Sequence, residues 1–197
     1  KFHPPAGRFD GVIGGPPCQR FSSLGVACAG RADREAPANL IPEYERCVAE
    51  ARPAWFLMEN VRNAPAPAVA GYLVCSYLLN NRTFGGTQDR VRRFSFGTPD
   101  GRGLLFEGVA LEATERTRTF TASGFHECDP ATQKSKPVQS PAAWRAGLAA
   151  QGLSPDFDLP PFTVREKFRA VGNGVPLPMG RAVARAVKAA LAVERAA

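Results

Sequence analysis

Two short apolar runs, separated by one helical pattern, organise the first sixty residues of this chain. Residues 9–13 (FDGVI) and 55–58 (WFLM) each predict a short buried strand. Between them, apolar positions recur at helical spacing from about Asn39 to Ala51, and Pro53 ends that pattern. A strand, a loop, a helix and a second strand in this order predict a parallel βαβ unit.

The later part of the chain carries further strand and helix patterns. Pro65 and Pro67 exclude a regular helix from residues 62–71, and residues 98–118 are polar and rich in turn formers. Residues 72–79 and 93–97 are predicted strands, and residues 141–151 are a predicted helix. A second helix is predicted to start at the capping box Thr163–Glu166 and to break at Gly172–Gly174. A last helix is predicted over residues 180–195, with Val183, Val187 and Leu191 as its buried stripe.

A thiol and a carboxylate follow the first two predicted strands. Cys18 lies in the loop GGPPCQRFSSLG, directly after the first strand, and Glu59 comes directly after the second. In parallel sheets ligands bind beyond the carboxyl ends of the strands. We therefore expect Cys18 and Glu59 at the ends of neighbouring strands, where a thiolate and an acid can act on one substrate.

Composition indicates the partner and the cellular location of this chemistry. The net charge of +7 favours a polyanionic partner, most simply nucleic acid. The five cysteines form no CxxC pair, which argues against a zinc ribbon or a disulfide framework, so no metal is expected. No apolar run approaches the ~18 residues of a membrane span. A reducing cytoplasm, with association to the nucleoid, is the expected location.

Four sequence blocks in order add a family resemblance. They are GGPPCQRFSSLG (14–25), MENV (58–61), QDRVRR (88–93) and VGNGVP (171–176). Together they resemble the C5-cytosine DNA methyltransferases. The resemblance implies an α/β fold of the S-adenosylmethionine-dependent (Rossmann-like) type, with a mixed sheet that is incomplete at its N-terminal side. It also implies three segments: a catalytic part at 1–97, a small irregular target-recognition lobe at 98–160, and C-terminal helices at 161–197 that return to the catalytic part.

The resemblance also implies a reaction. Cys18 would add to C6 of a flipped cytosine, Glu59 would protonate or hydrogen-bond N3, and Arg92 would contact O2. S-adenosylmethionine would donate the methyl group to C5. The residues implied to hold this cofactor are Asn173 and Pro17; those implied to contact DNA are Gln19, Arg20, Ser22, Ser23, Gln88 and Arg90, the last two also as supports for the loops.

Two departures from the family shape the expected partners and specificity. The family's Phe-x-Gly-x-Gly cofactor turn is not in the sequence, so we expect a separate or missing N-terminal half to supply that part of the cofactor site. The segment left for reading DNA holds ~20–40 residues, too few for many bidentate base contacts, so a short or relaxed recognition sequence in duplex DNA is expected. This compactness suggests a phage or prophage enzyme, and the sequence leaves its role open between a restriction-modification companion, host mimicry and regulation.

Three other functions fit parts of this pattern. A non-catalytic, DNA-binding regulatory relative would keep the fold without the cofactor. A fragment of a split enzyme would need its other half. A tRNA cytosine-5 methyltransferase shares the fold, although the Cys-Phe-Thr segment typical of that subfamily is not found here.

Overall fold

The computed structural model describes residues 2–17, 20–21, 38–108, 116–128 and 135–192. The predicted site residues Cys18, Gln19, Ser22 and Ser23 lie outside these ranges. The strands are β1 (Gly11–Gly14), β2 (Trp55–Val61), β3 (Leu73–Asn80), β4 (Val91–Thr98), β5 (Phe125–Cys128) and β6 (Ser135–Val138). The helices are α1 (Ile41–Ala51), α2 (Pro141–Gln151), α3 (Val164–Asn173) and α4 (Leu177–Ala192), with a 3-10 turn at Asn81–Phe84.

The chain divides into two compact units. Unit 1 comprises Lys1–Leu79, Val91–Leu105 and Ala190–Ala197, and unit 2 comprises Asn80–Arg90 and Phe106–Ala189. This division differs from the predicted boundaries at 97/98 and 160/161. Residues 80–90 belong to unit 2 because the side chains of Gln88 and Arg90 bond to backbone groups there. Helix α3 and most of α4 also belong to unit 2, where α3 packs on α2.

Unit 1 contains a four-stranded sheet in the order β1-β2-β4-β3. Strand β1 pairs parallel with β2, with Gly11 opposite Trp55, so the predicted βαβ unit and the pairing of neighbouring strands are confirmed. Strand β2 pairs antiparallel with β4, which makes the sheet mixed, as expected. Helix α1 covers one face, where Val48 packs with Phe56 in the core.

Strand β2 is longer than its apolar run. The sequence predicts a strand that ends at Met58, with Glu59 directly after it. In the structure the strand continues to Val61, because β4 pairs along it: Glu59 lies opposite Phe94 and Val61 opposite Arg92. Glu59 is therefore a strand residue near the carboxyl end of β2, with a fixed face of the sheet.

Unit 2 is built around aromatic side chains between two helices. Phe120 and Phe168 are fully buried with ring centroids 5.5 Å apart. The ring of Trp144, on α2, packs at a tilt against Phe168, with centroids 5.4 Å apart. The antiparallel hairpin of β5 and β6 packs Phe125 against this cluster. The sequence pattern does not predict β5 and β6, since four-residue strands carry too little alternation to be recognised.

The helices of unit 2 follow their sequence signals closely. Thr163 and Glu166 form both bonds of the predicted capping box, and α3 ends at Asn173. Helix α4 starts three residues before its predicted start and buries Val183 and Val187, as predicted, while Leu191 is half-buried. Among the described residues, none of the helices is both long and apolar enough to cross a membrane.

Replacement by alanine is expected to have opposite effects on stability at two glycines of unit 2. A Cβ at Gly172 would lie 2.0 Å from the backbone oxygen of Thr121, whereas a Cβ at Gly180, in α4, would meet only Val175 at 3.8 Å. Gly172→Ala should therefore destabilise the protein by about 1–3 kcal/mol. Gly180→Ala should stabilise it by about 0.5–1 kcal/mol, because alanine loses less backbone entropy in a helix. Urea unfolding of both variants checks this, and shifts of the same sign would contradict the packing described.

Candidate active site at the end of strand β2

The sheet register places the carboxylate of Glu59 beside the guanidinium of Arg92. Because side chains alternate along strands, Glu59 and Val61 share one face of the sheet with Arg92 and Phe94 of β4. Arg92 Nε and Glu59 Oε1 form an ion pair at 3.1 Å, with 18% and 24% of the two side chains exposed. Two of the three predicted catalytic residues are thus in direct contact.

The chain leading to Cys18 lies against this ion pair. A Cβ at Gly15 would stand 3.3 Å from Glu59 Oε2, so the backbone of Gly15 passes beside the carboxylate. Any side chain there would crowd Glu59. The next residue, Pro16, accepts a hydrogen bond through its carbonyl oxygen from Asn60 Nδ2 at 3.1 Å. The approach to Cys18 is therefore attached to the carboxyl end of β2.

Asn60 is a structural residue of the site that sequence reasoning did not single out. Its side chain is 1% exposed; besides the bond to Pro16, Asn60 Oδ1 accepts from the backbone N–H of Val61 at 2.8 Å. An amide is required because one group donates while the other accepts. The signal was present in the sequence as a polar residue within a strand pattern, between Glu59 and Val61.

Two aromatic side chains of unit 1 pack near the same loop. Phe21 lies on the cluster of Ile41, Met58 and Ala64. The ring of Tyr44 occupies the space beside Gly14, where a Cβ would come within 2.5 Å of it. Burial raises the pKa of Tyr44 well above its usual value, so its hydroxyl stays neutral. Described residues on both sides of Cys18 are therefore anchored in the core of unit 1.

The predicted DNA contacts of Gln88 and Arg90 do not fit their positions. Both side chains are buried, at 0% and 3% exposure. Gln88 Nε2 donates to Ala150 O at 2.7 Å, and its Oε1 accepts from Phe120 N at 3.2 Å. Arg90 Nη1 donates to Phe120 O at 2.9 Å. A phosphate or base would have to displace these protein partners, whereas support of the loops, the other role expected of them, agrees with the bonds.

Asn173, Pro17 and Arg20 all lie at the surface. Asn173 is the last residue of α3, and its side chain has no hydrogen-bond partner among the described residues. A free amide can bond both a carboxylate and an ammonium group, so it fits the amino-acid end of S-adenosylmethionine. Pro17 is exposed beside the anchored Pro16, and Arg20 is exposed beyond the undescribed residues 18 and 19. Within the described ranges, no three metal-ligating side chains cluster.

Comparison with known proteins identifies the family. Residues 3–137 match the family model described as C-5 cytosine-specific DNA methylase. The chain belongs to this family. The matched region contains the Glu59–Arg92 pair and the loop of Cys18, and the match confirms the resemblance drawn from the four sequence blocks.

Relatives and solved structures agree with this assignment. The chain is similar to the type II methyltransferase M.FnuDI of Fusobacterium nucleatum, with 39% identity over 45% of this chain and 28% of that protein. It is similar to M.DdeI of Desulfomicrobium norvegicum, with 36% identity over 48% and 26%. The chain thus spans less than a third of these curated relatives.

The solved structures show the fold. One is described as a putative DNA modification methyltransferase encoded within an E. coli prophage. It has a TM-score of 0.58 and 17% identity, over 92% of this chain and 79% of that one. The DNMT2 of Spodoptera frugiperda has a TM-score of 0.53 and 13% identity, over 86% and 76%. Both agree with the α/β methyltransferase fold.

The buried amide of Asn60 makes a prediction about stability. In Asn60→Asp the bond from Val61 N–H can persist, but the donor to Pro16 O is lost, and a buried carboxylate oxygen then faces the Pro16 carbonyl oxygen with no donor between them. We expect a loss of at least about 1–3 kcal/mol in the free energy of unfolding. The matched control is Asn63→Asp, the same change at an exposed position three residues later, which should stay within about 0.5 kcal/mol. Equal losses in the two variants would show that the bond to Pro16 contributes nothing.

Proposed function

We propose that the chain is the catalytic segment of a DNA (cytosine-5)-methyltransferase, which methylates C5 of a flipped cytosine through a covalent adduct between Cys18 and C6. One observation carries the proposal: the backbone at Gly15, three residues before Cys18, lies against the Glu59–Arg92 pair. A nucleophile, an acid and a cation can then address one pyrimidine ring. The family membership supports this reading.

The ion pair matches the polar edge of cytosine. Arg92 can donate to O2, and the carboxyl group of Glu59 can take a proton and donate it to N3. The thiolate of Cys18 forms a bond to C6, and the electron pair of the C5–C6 double bond moves into the ring, where the proton at N3 and the cation at O2 stabilise it. C5 thereby becomes a nucleophile. After C5 has been methylated, its proton leaves to a base and the C6–S bond breaks, which restores the thiolate.

The cofactor and the rest of the substrate complete the proposal. S-adenosylmethionine supplies the methyl group, and Asn173 and Pro17 are the residues of this chain proposed to hold it. A separate or further N-terminal segment supplies the remaining cofactor contacts. Because C5 is shielded in a stacked duplex, the target base must flip out. Gln19, Arg20, Ser22 and Ser23 are proposed to hold the DNA backbone beside it. Since related proteins are named type II methyltransferases, a restriction-modification role is proposed.

A trapping assay tests the reaction. The full protein that carries this chain is incubated with S-adenosylmethionine and a long duplex in which 5-fluorocytosine replaces cytosine. Fluorine cannot leave as a proton does, so an active enzyme stays attached, and the adduct is scored on a denaturing gel. We expect an adduct with the unaltered protein and none with Cys18→Ala. Glu59→Gln should form it about 10²–10⁴-fold more slowly, because the amide cannot give N3 a proton.

The controls separate this function from its alternatives. Glu45→Gln makes the same change on α1, where an amide oxygen can still accept from the backbone N–H of Ala68, and it should react at the normal rate. An adduct with tRNA and none with DNA would assign the protein to tRNA methylation. DNA binding without an adduct would assign it to regulation. An adduct only after an N-terminal half is added would identify a split enzyme.

The short recognition segment makes a separate prediction about DNA binding. With few base contacts available, phosphate contacts should dominate the affinity. The logarithm of the binding constant should then fall linearly with the logarithm of salt concentration, by about 0.9 per phosphate contacted. Arg20→Ala should weaken binding to all sequences alike and reduce this slope by about one contact. A slope near zero, measured by fluorescence anisotropy, would contradict phosphate-dominated binding.

A further inference from the structure

The C-terminal end of α3 is held by two buried side chains from other parts of unit 2. The last carbonyl groups of a helix have few helical partners of their own. Here Val171 O accepts from Gln151 Nε2 at 2.6 Å, and Gly172 O accepts from Arg90 Nη2 at 2.7 Å. The same Arg90 nitrogen donates to Gly174 O at 3.0 Å. The backbone on both sides of residue 173 is therefore bonded from within the unit.

The two holding side chains are themselves fixed. Arg90 is also bonded to Phe120 O, and Gln151 Oε1 accepts from Gln88 Nε2 at 3.0 Å. Both side chains are nearly inaccessible to solvent. In the low-dielectric interior of a protein, hydrogen bonds are electrostatically stronger than in water. A guanidinium at the negative end of a helix adds a favourable interaction with the helix dipole. Neither side chain can turn away without leaving a buried polar group unsatisfied.

Asn173 stands between the held carbonyls and faces outward. Gly172 on one side packs so closely on the backbone of Thr121 that a Cβ would overlap it. The backbone of residues 172–174 thus has little freedom, while the Asn173 side chain is exposed. The direction in which its amide leaves the helix is consequently set by bonds behind it.

We propose that Gln151 is a positioning residue for the cofactor. Together with Arg90 it fixes the turn of residues 172–174, so that the Asn173 amide is already directed to bind the amino-acid end of S-adenosylmethionine. The inference rests on the proposed function. Gln151 lies outside all four sequence blocks that carry the family resemblance, and only the structure connects it to the site.

The test compares Gln151→Met with Leu148→Ala in the full protein. Methionine keeps the length of the glutamine side chain but cannot bond to Val171. Leu148, one turn earlier on α2, is fully buried among apolar groups, so its truncation weakens unit 2 without touching the polar bonds. The measurements are amide hydrogen exchange of residues 172–175 without cofactor, and equilibrium binding of S-adenosylmethionine and of duplex DNA.

We expect Gln151→Met to speed exchange at 172–175 at least 10-fold and to weaken cofactor binding at least 5-fold, with DNA affinity within 2-fold. Leu148→Ala should change exchange throughout unit 2 and leave cofactor affinity within 2-fold at temperatures where it is folded. Unchanged exchange at 172–175, or equal losses of cofactor affinity in the two variants, would overturn the positioning role. If the unaltered protein binds no S-adenosylmethionine, the proposed function and the cofactor part of this inference both fail, while the exchange data still decide whether Gln151 fixes the turn.

Discussion

The parallel pairing of β1 with β2 is the constraint on which the site in unit 1 depends. Because both strands end at the same edge of the sheet, the loop after Gly14 leaves beside the end of β2. A strand further away would separate the thiol loop from the carboxylate by the width of a strand. The bond from Asn60 to Pro16 then holds the loop after Gly14 against the end of β2. The strand register and the buried amide of Asn60 together hold the loop beside the carboxylate, a role that a metal ion or a disulfide often has in smaller proteins.

Unit 2 depends on polar bonds of a different kind. Its aromatic core stabilises the unit but does little to fix how the elements are oriented, since apolar contacts are non-directional. Direction comes from Gln88, Arg90 and Gln151, whose bonds tie the segment before β4 to Phe120, α2 and the end of α3. Such a network is costly when partly satisfied and specific when complete. The basic residues of the QDRVRR block therefore have different tasks: Arg90 organises protein, and Arg92 faces Glu59.

Local signals in the sequence predicted most elements correctly. The βαβ unit, the proline-rich connection at 62–71 and the capping box at Thr163 all follow from short-range chemistry, and the structure confirms them. The extension of β2 through Glu59 was missed because pairing with β4, a long-range event, decides it. The bonding partners of Gln88, Arg90 and Gln151 could not be found from the sequence either, since burial of a polar side chain depends on which distant carbonyls meet it.

The contact between Gly14 and Tyr44 has a consequence for how this sequence can change over time. The aromatic ring fills the volume that a side chain at position 14 would need, and Tyr44 Oη donates to Val12 O at 3.5 Å, within the same strand. Neither position can drift alone: a larger residue at 14 is tolerated only after the ring at 44 has been lost, and loss of the ring opens a void beneath the strand. Substitutions at the two positions are therefore coupled, because a smaller residue at position 44 lowers the steric cost of a side chain at position 14.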